Sequence, residues 1–360
     1  MGPLSPDLEI LPEWIGAAER VLARPGVVVL LGASDSGKTT LGHILAERWR
    51  AAGRTVGLVD GDIGQSSIGP PTTIGLALLS PITFPSPVPR PPSLYFVGST
   101  SPPGHFLPHI LGTQALVRAA IVQGAEIVLV DTTGLILGAT AASLKWHKLQ
   151  AIRPRHLLGL QRDRELEPIL ALVEGAPDLE VHRLPVSSRV SRRSHAARRA
   201  YREERFREYF GSASEHDLDW KDLRFSRLWL KTGQTVSREE LSTLGEWLQT
   251  TPLYAEVGNE EALVFVRGAC SRAALYQVRN RLGVSDVRVM DVEQLRGTLL
   301  GLHDQAGAFL ALGVLQELDP DRARLRVLSP LPGPTRVGGV AFGSLRLAQG
   351  GRECGEASWR

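Results

Sequence analysis

The chain has 360 residues, 43% hydrophobic and 22% charged, which is enough apolar material for the cores of two domains and marks an ordinary soluble globular protein. Its formal charge of +3 and pI near 9.0 derive from arginine and carry meaning only where that charge is clustered. Two distant cysteines, Cys270 and Cys354, exclude a disulfide framework or a cysteine-rich metal centre. With no basic-then-apolar leader and no apolar run near the roughly 20 residues of a membrane helix, the expected setting is cytoplasmic, with no membrane partner.

Leu8 to Leu22 has near-helical apolar spacing and predicts a short helix, closed by Arg24-Pro25-Gly26. The all-apolar run Val27 to Leu31 predicts a buried strand. It leads directly into Gly32-Ala33-Ser34-Asp35-Ser36-Gly37-Lys38-Thr39, and Thr40 opens a helical pattern to Ala52. This is G-x-x-x-x-G-K-[ST] between a strand and a helix. Its glycines let backbone N–H groups close around phosphate oxygens, its lysine reaches the β/γ-phosphates, and its hydroxyl holds Mg²⁺.

A second strand, Thr55 to Val59, delivers Asp60-Gly61-Asp62-Ile63-Gly64-Gln65 to the same crevice, since ligands of open α/β sheets bind outside the carboxyl ends of strands. There an aspartate can orient metal-bound water or accept a proton from an attacking hydroxyl. The same residues also suit an Asx-type turn closing the strand.

After Pro70-Pro71 and a proline-studded surface segment, Pro81 to Pro92, the run Leu94 to Gly98 predicts a strand leading to Ser99 through His105. Ser101 and His105 are candidates for substrate contact there, although a turn histidine is often simply solvated. His109 to Gln123 reads as an amphipathic helix. Ile127 to Val130, ending in Asp131-Thr132-Thr133-Gly134, has the Walker-B pattern that puts a carboxylate on Mg²⁺. Helix 141–149, strand 155–159 ending at Gln161-Arg162, and helix 166–174 continue a βαβα order to about residue 187.

The clustered charge then appears. Eight arginines fall between Arg189 and Arg207 against two acids, Glu203 and Glu204. On a helix, Arg198, Arg202 and Arg205 share a side, and Phe206, Tyr209 and Phe210 provide an apolar foothold. Such a stripe suits a phosphate-binding lid, or else a solvated basic face. From about Leu218 the texture becomes β-rich, with runs at 228–230, 263–266, 287–289, 309–315 and 325–328 and helices at 237–249 and 271–282.

Taken in this order, the phosphate loop, Asp60 through Gln65 with prolines soon after, Phe96-Val97-Gly98 before Ser101-Pro102, Asp131 through Gly134 and Arg193 through Phe210 resemble the polynucleotide 5′-hydroxyl kinases. The resemblance spans about residues 26–211. It implies an α/β P-loop NTPase fold, a mostly parallel sheet with helices on both faces and an arginine-rich helical lid at 189–210; the residue pattern itself adds a helical extension at 1–25 and a C-terminal β-rich domain at 218–350. It also implies transfer of the γ-phosphoryl of ATP, or GTP in some members, to the 5′-OH of RNA or DNA. Residue by residue, Lys38 matches the phosphate-loop lysine and Thr39 the Mg²⁺-binding hydroxyl. Asp62 matches the general base, Gln65 the motif's glutamine, and Arg193 and Arg198 the lid arginines. Asp60 and Asp131 join Thr39 as metal candidates, and Thr133 and Arg202 join Gln65, Ser101 and His105 on the substrate side. Leu135 stands where eukaryotic members carry a substrate-clamping tryptophan. Two readings share the same residues: a P-loop GTPase or ATPase switch, for which no Asn/Thr-Lys-x-Asp element is present, and a nucleotide-bound scaffold that grips RNA ends without catalysis.

Overall fold

The computed structural model describes residues 9–81, 92–228, 230–332 and 336–357. The chain forms two compact units, one through Arg202 and one from Glu203. In the first, the predicted βαβα order is realised as α1 (Pro12–Ala23), β1 (Val27–Gly32), α2 (Lys38–Ala51), β2 (Val56–Gly61), β3 (Thr73–Leu79), β4 (Ser93–Phe96), α3 (Phe106–Val122), β5 (Ile127–Thr132), α4 (Gly138–Ile152), β6 (His156–Gln161), α5 (Glu167–Leu170) and β7 (Glu180–Pro185), and α6 (His195–Tyr209) runs across the boundary into the second.

The sheet runs β4-β3-β2-β5-β1-β6-β7. β2, β5, β1, β6 and β7 are parallel, and β3 and β4 extend one edge antiparallel. Alternation along the strands feeds two cores. Val28, Leu30, Leu58, Leu129 and Leu158 pack under α1 and α2, while Val29, Leu31, Val59, Val128 and Val130 pack with Leu116 and Val117 of α3 and Leu149 of α4 on the opposite face. The carboxyl ends of β1, β2 and β5 meet at one edge, where the polar motifs sit.

Within the described residues of this unit, two strands go beyond what the sequence predicts. β3 follows a Pro-Pro turn closely and pairs antiparallel, and Gly75 lies so near Ile68 that a Cβ would meet its carbonyl oxygen at 2.2 Å. β7 begins at Glu180, within a stretch whose charges hide the strand pattern. The helix expected at 166–174 is regular only over Glu167–Leu170. The proline-studded segment lies largely outside the described residues.

The second unit holds two sheets. Gln234–Thr235, Thr251–Val257, Glu261–Arg267 and Asp286–Asp291 form one, backed by Arg238–Leu248, whose Ser237–Glu240 capping box fixes its start. The other is antiparallel along Glu353–Glu356, Gly339–Leu347, Thr298–His303, Phe309–Asp319, Arg324–Ser329 and Ser214–Asp219. The run expected at 228–230 is no strand at Leu228 or Leu230, which are buried core residues; Trp229 lies outside the described residues. No helix among the described residues is long and apolar enough to cross a membrane.

Candidate active site

The turn from β1 into α2 builds the cradle. Gly32 ends the strand, and a Cβ there would meet Ser36 Oγ at 2.5 Å. Gly37 takes φ +85° and Asp35 φ +54°, the left-handed backbone such a loop requires. Lys38 is buried, its Nζ donating to Ala33 O at 2.7 Å. Burial pulls its pKa below the usual lysine value, opposed by the charges of Asp131, Asp62 and Asp35. The ammonium and the acidic strand tips therefore share one site. Thr39 and Thr40 are exposed at the start of α2, as is Ser34 of the loop, while Ala33 is half-buried.

Thr39 Oγ1 donates to Asp131 Oδ2 at 2.6 Å, while Asp131 Oδ1 is buried with no partner among the described residues. Burial pushes the Asp131 carboxyl above its ordinary range, against the pull of Lys38. A hydroxyl and a carboxylate oxygen side by side, with one lone pair waiting, are the oxygen donors Mg²⁺ takes. With Ser36 Oγ also buried and without a partner among the described residues, the residues fit a magnesium-nucleotide.

Asp60 behaves differently from Asp131. Its Oδ2 accepts from Ser67 N, Ser67 Oγ and Ile68 N, and its Oδ1 from Asp62 N. Burial, then Asp131 and Asp62, raise it to about 7. The carboxylate expected on the metal instead anchors the loop after β2. Asp62, half-buried, closes an Asx turn through Oδ1, which accepts from Gly64 N and Gln65 N at 3.1 Å each. Asp62 also stands near enough to Lys38 for its charge to oppose the fall of that ammonium's pKa.

The arginine segment does reach this loop system. Arg198 Nη2 pairs with Asp35 Oδ2 at 2.6 Å, and Arg193 N donates to the same oxygen at 3.1 Å. Gln65 Nε2 donates to Arg198 O at 3.2 Å, and Tyr201 Oη to Ser66 O at 2.8 Å. Arg202 is half-buried one residue after Tyr201. The foothold also forms, with Phe206 fully buried and Tyr209 Oη accepting from Leu312 N.

On the substrate side, Ser101 is exposed, and its backbone is tied to Ser99 Oγ. The carbonyl of Thr100 lies 2.7 Å from where a Gly64 Cβ would stand, so the 99–105 loop abuts the Asp62 turn. His105 is buried at the N-cap of α3 rather than solvated. Thr133 is buried, and at Gly134 an added Cβ would strike Ser34 Oγ at 2.3 Å, so this turn and the phosphate loop touch through a glycine.

Several polar residues of the site escaped the sequence reading. Arg162 Nη2 donates to Asp35 O, Tyr201 holds the loop after β2, and Lys145, Lys148 and His109 are buried beneath the strand tips. The lysines left a signal. Ala141, Leu144, Lys145, Lys148, Leu149 and Ile152 follow the 3-and-4 spacing of one helix face.

A family model described as mRNA cleavage and polyadenylation factor CLP1 P-loop matches residues 32–212. A polyribonucleotide 5′-hydroxyl-kinase of Pyrococcus abyssi is 30% identical over 342 residues, covering 94% of this chain and 93% of the relative. One of Pyrococcus furiosus is 32% identical over 343 residues, covering 94% and 93%. The solved wild-type Clp1p–Pcf11p complex is alike in fold, with a TM-score of 0.59 at 16% identity over 92% of this chain and 78% of that chain. Matched through its phosphate-loop half and aligned with both relatives along nearly its whole length, the chain belongs to the CLP1-type polynucleotide 5′-hydroxyl kinase family.

Proposed function

We propose that this chain transfers the γ-phosphoryl group of ATP, or of GTP, to the 5′-hydroxyl of RNA or DNA, RNA being the substrate class named for its relatives. The observation that carries this reading is the Thr39–Asp131 bond beside Lys38, with the Asp62 charge close enough to act on the same ammonium. The chemistry is assigned to residues 26–211, with 218–350 as a separate β-rich domain. Gly32 through Thr40 hold the triphosphate, and Lys38 faces its β- and γ-phosphates. Thr39 and Asp131 hold magnesium, which when bound supplies neutralisation of phosphate charge.

Asp62 accepts the proton of the 5′-hydroxyl. The 5′-oxygen forms the new P–O bond as the bond from γ-phosphorus to the bridging oxygen breaks and the nucleoside diphosphate leaves. Arg193 and Arg198 stabilise the charge that spreads over the transferring group, while Gln65, Ser101, His105, Thr133 and Arg202 orient the acceptor strand. The relatives' names favour transfer over a GTPase switch or a silent scaffold, and β6 ends at Gln161-Arg162 without a guanine-reading element.

The test is γ-labelled ATP with 5′-hydroxyl RNA and DNA oligonucleotides, using wild type, Lys38→Ala and Asp62→Asn. Labelled 5′ ends that vanish in both variants are expected, with Asp62→Asn slower by roughly 10²–10⁴-fold, the usual worth of a positioned base. Free phosphate without labelled ends would return the switch reading.

A further inference from the structure

Lys145 and Lys148 of α4 stand where solvent does not reach, each 1% exposed. Lys145 is satisfied: its Nζ donates to Thr133 O at 2.7 Å and Thr132 Oγ1 at 2.9 Å, gripping the turn after β5. Lys148 is not, since its Nζ has no hydrogen-bond partner among the described residues. A Cβ added to Gly61 would stand 3.6 Å from that nitrogen, so the ammonium lies against the backbone one residue before Asp62. His109 borders the same spot, with Nε2 2.9 Å from Gly61 O and Nδ1 without a hydrogen-bond partner among the described residues.

A buried ammonium without hydrogen bonds is costly, and only nearby opposite charge offsets that cost. Burial lowers Lys148 to about 7, and the groups that oppose the fall are Asp62 and Asp131. Those carboxylates need the help. Asp60 and Asp131 are direct neighbours across β2 and β5, and Asp62 follows two residues on, so three acidic groups crowd one strand edge. Lys38 sits among them too, but it is assigned to the phosphates. Lys148 approaches from within the protein and leaves the crevice open.

We propose that Lys148 is a positioning residue for phosphoryl transfer, its buried ammonium serving as the internal counter-charge that lets Asp62 and Asp131 sit together at the strand tips. This rests on the kinase reading above. Lys148 touches neither nucleotide nor acceptor strand and acts through the two carboxylates, one the base and the other a magnesium holder.

Lys148→Met keeps the stem and removes the charge. Three outcomes are expected: a melting temperature below wild type, because the buried carboxylates lose the charge that offsets them; Mn²⁺ binding in the presence of ADP, followed by electron paramagnetic resonance, about threefold tighter or more, because a competing cation is gone; and kcat for a 5′-hydroxyl oligonucleotide at least about tenfold lower, with KM for ATP little changed. A lower melting temperature with unchanged Mn²⁺ affinity or unchanged kcat would make Lys148 an ordinary structural residue. Lys148→Gln, neutral but polar, repeats the comparison if the methionine variant does not fold. Melting and Mn²⁺ binding need no turnover, so failure of wild-type transfer would remove the kinase reading while leaving the counter-charge measurable.

Discussion

The two ends of the parallel sheet are finished in opposite ways. Where β6 and β7 begin, Arg20 Nε donates to His182 Nδ1, His182 Nε2 to His156 Nδ1, and His156 Nε2 to Arg24 O. The facing nitrogens are 3.2 Å apart and the ring centroids 5.5 Å apart, so the rings point end-on, as an N–H···N bond requires. Each of these donors finds its acceptor inside the protein, and Trp14 Nε1 closes the same side by donating to Pro185 O. Where β1, β2 and β5 end, Ser36 Oγ, Asp131 Oδ1, Lys148 Nζ and His109 Nδ1 are buried without a partner among the described residues. Buried polar groups are ordinarily paired, so the open oxygens of Ser36 and Asp131 mark the end that a ligand completes. Stability is concentrated at one end of the sheet and chemistry at the other.

That contrast breaks most visibly at Asp131. Asp131→Asn keeps the shape but removes a charge that the unfinished end depends on. Transfer is expected to fall roughly 10³-fold, the scale of losing an electrostatic support of the transition state. The melting temperature should hold or rise, since burial already penalises the ionised carboxyl. Initial rates and thermal melts measure the two sides, and a variant that loses stability but not rate would reverse the assignment of the two ends. Arg198→Ala is the next step down. Its guanidinium is held by Asp35 at the phosphate loop, and its loss should slow transfer by roughly 30- to 100-fold while nucleotide binding changes by less than about threefold, below the range of an arginine finger supplied whole. Equal loss of binding and rate would make the arginine a nucleotide anchor instead.

How much of this was legible from sequence follows the same division. β1, β2 and β5 are short continuous apolar runs bounded by turn signals, and the phosphate loop, Asp62 and Asp131 all stand at strand tips where topology must place them together. Those positions could be read because motif and period coincide. Asp60 could not be separated from Asp62 by pattern, because two aspartates at the same strand tip look alike until the amides of Ser67 and Ile68 are seen to occupy one of them. Lys145 and Lys148 sit at core positions of α4, yet a lysine reads as solvent-facing unless the helical period is followed strictly. The His156–His182 chain joins residues 26 apart on neighbouring strands, and the charged run of β7 hid the strand that carries half of it.

The finished end gives the smallest effect, in stability rather than rate. Burial lowers His182 to about 4 and draws His156 below its ordinary value, so the folded chain keeps both rings neutral while the unfolded chain takes protons near pH 6.5. The unfolded state therefore binds more protons between those values. The stabilisation is complete above about pH 6.5 and is lost as the pH falls toward 4, at roughly 2 kcal/mol for His182. Melting temperatures measured from pH 7.5 to 4.5 should fall more steeply for wild type than for His182→Gln, whose amide cannot charge, while at pH 7.5 the variant should melt lower because the Arg20–His182–His156 chain is cut. Parallel curves for the two proteins would mean that the histidine pair carries no proton-linked stability, and the contrast between the sheet's two ends would then rest on hydrogen bonding alone.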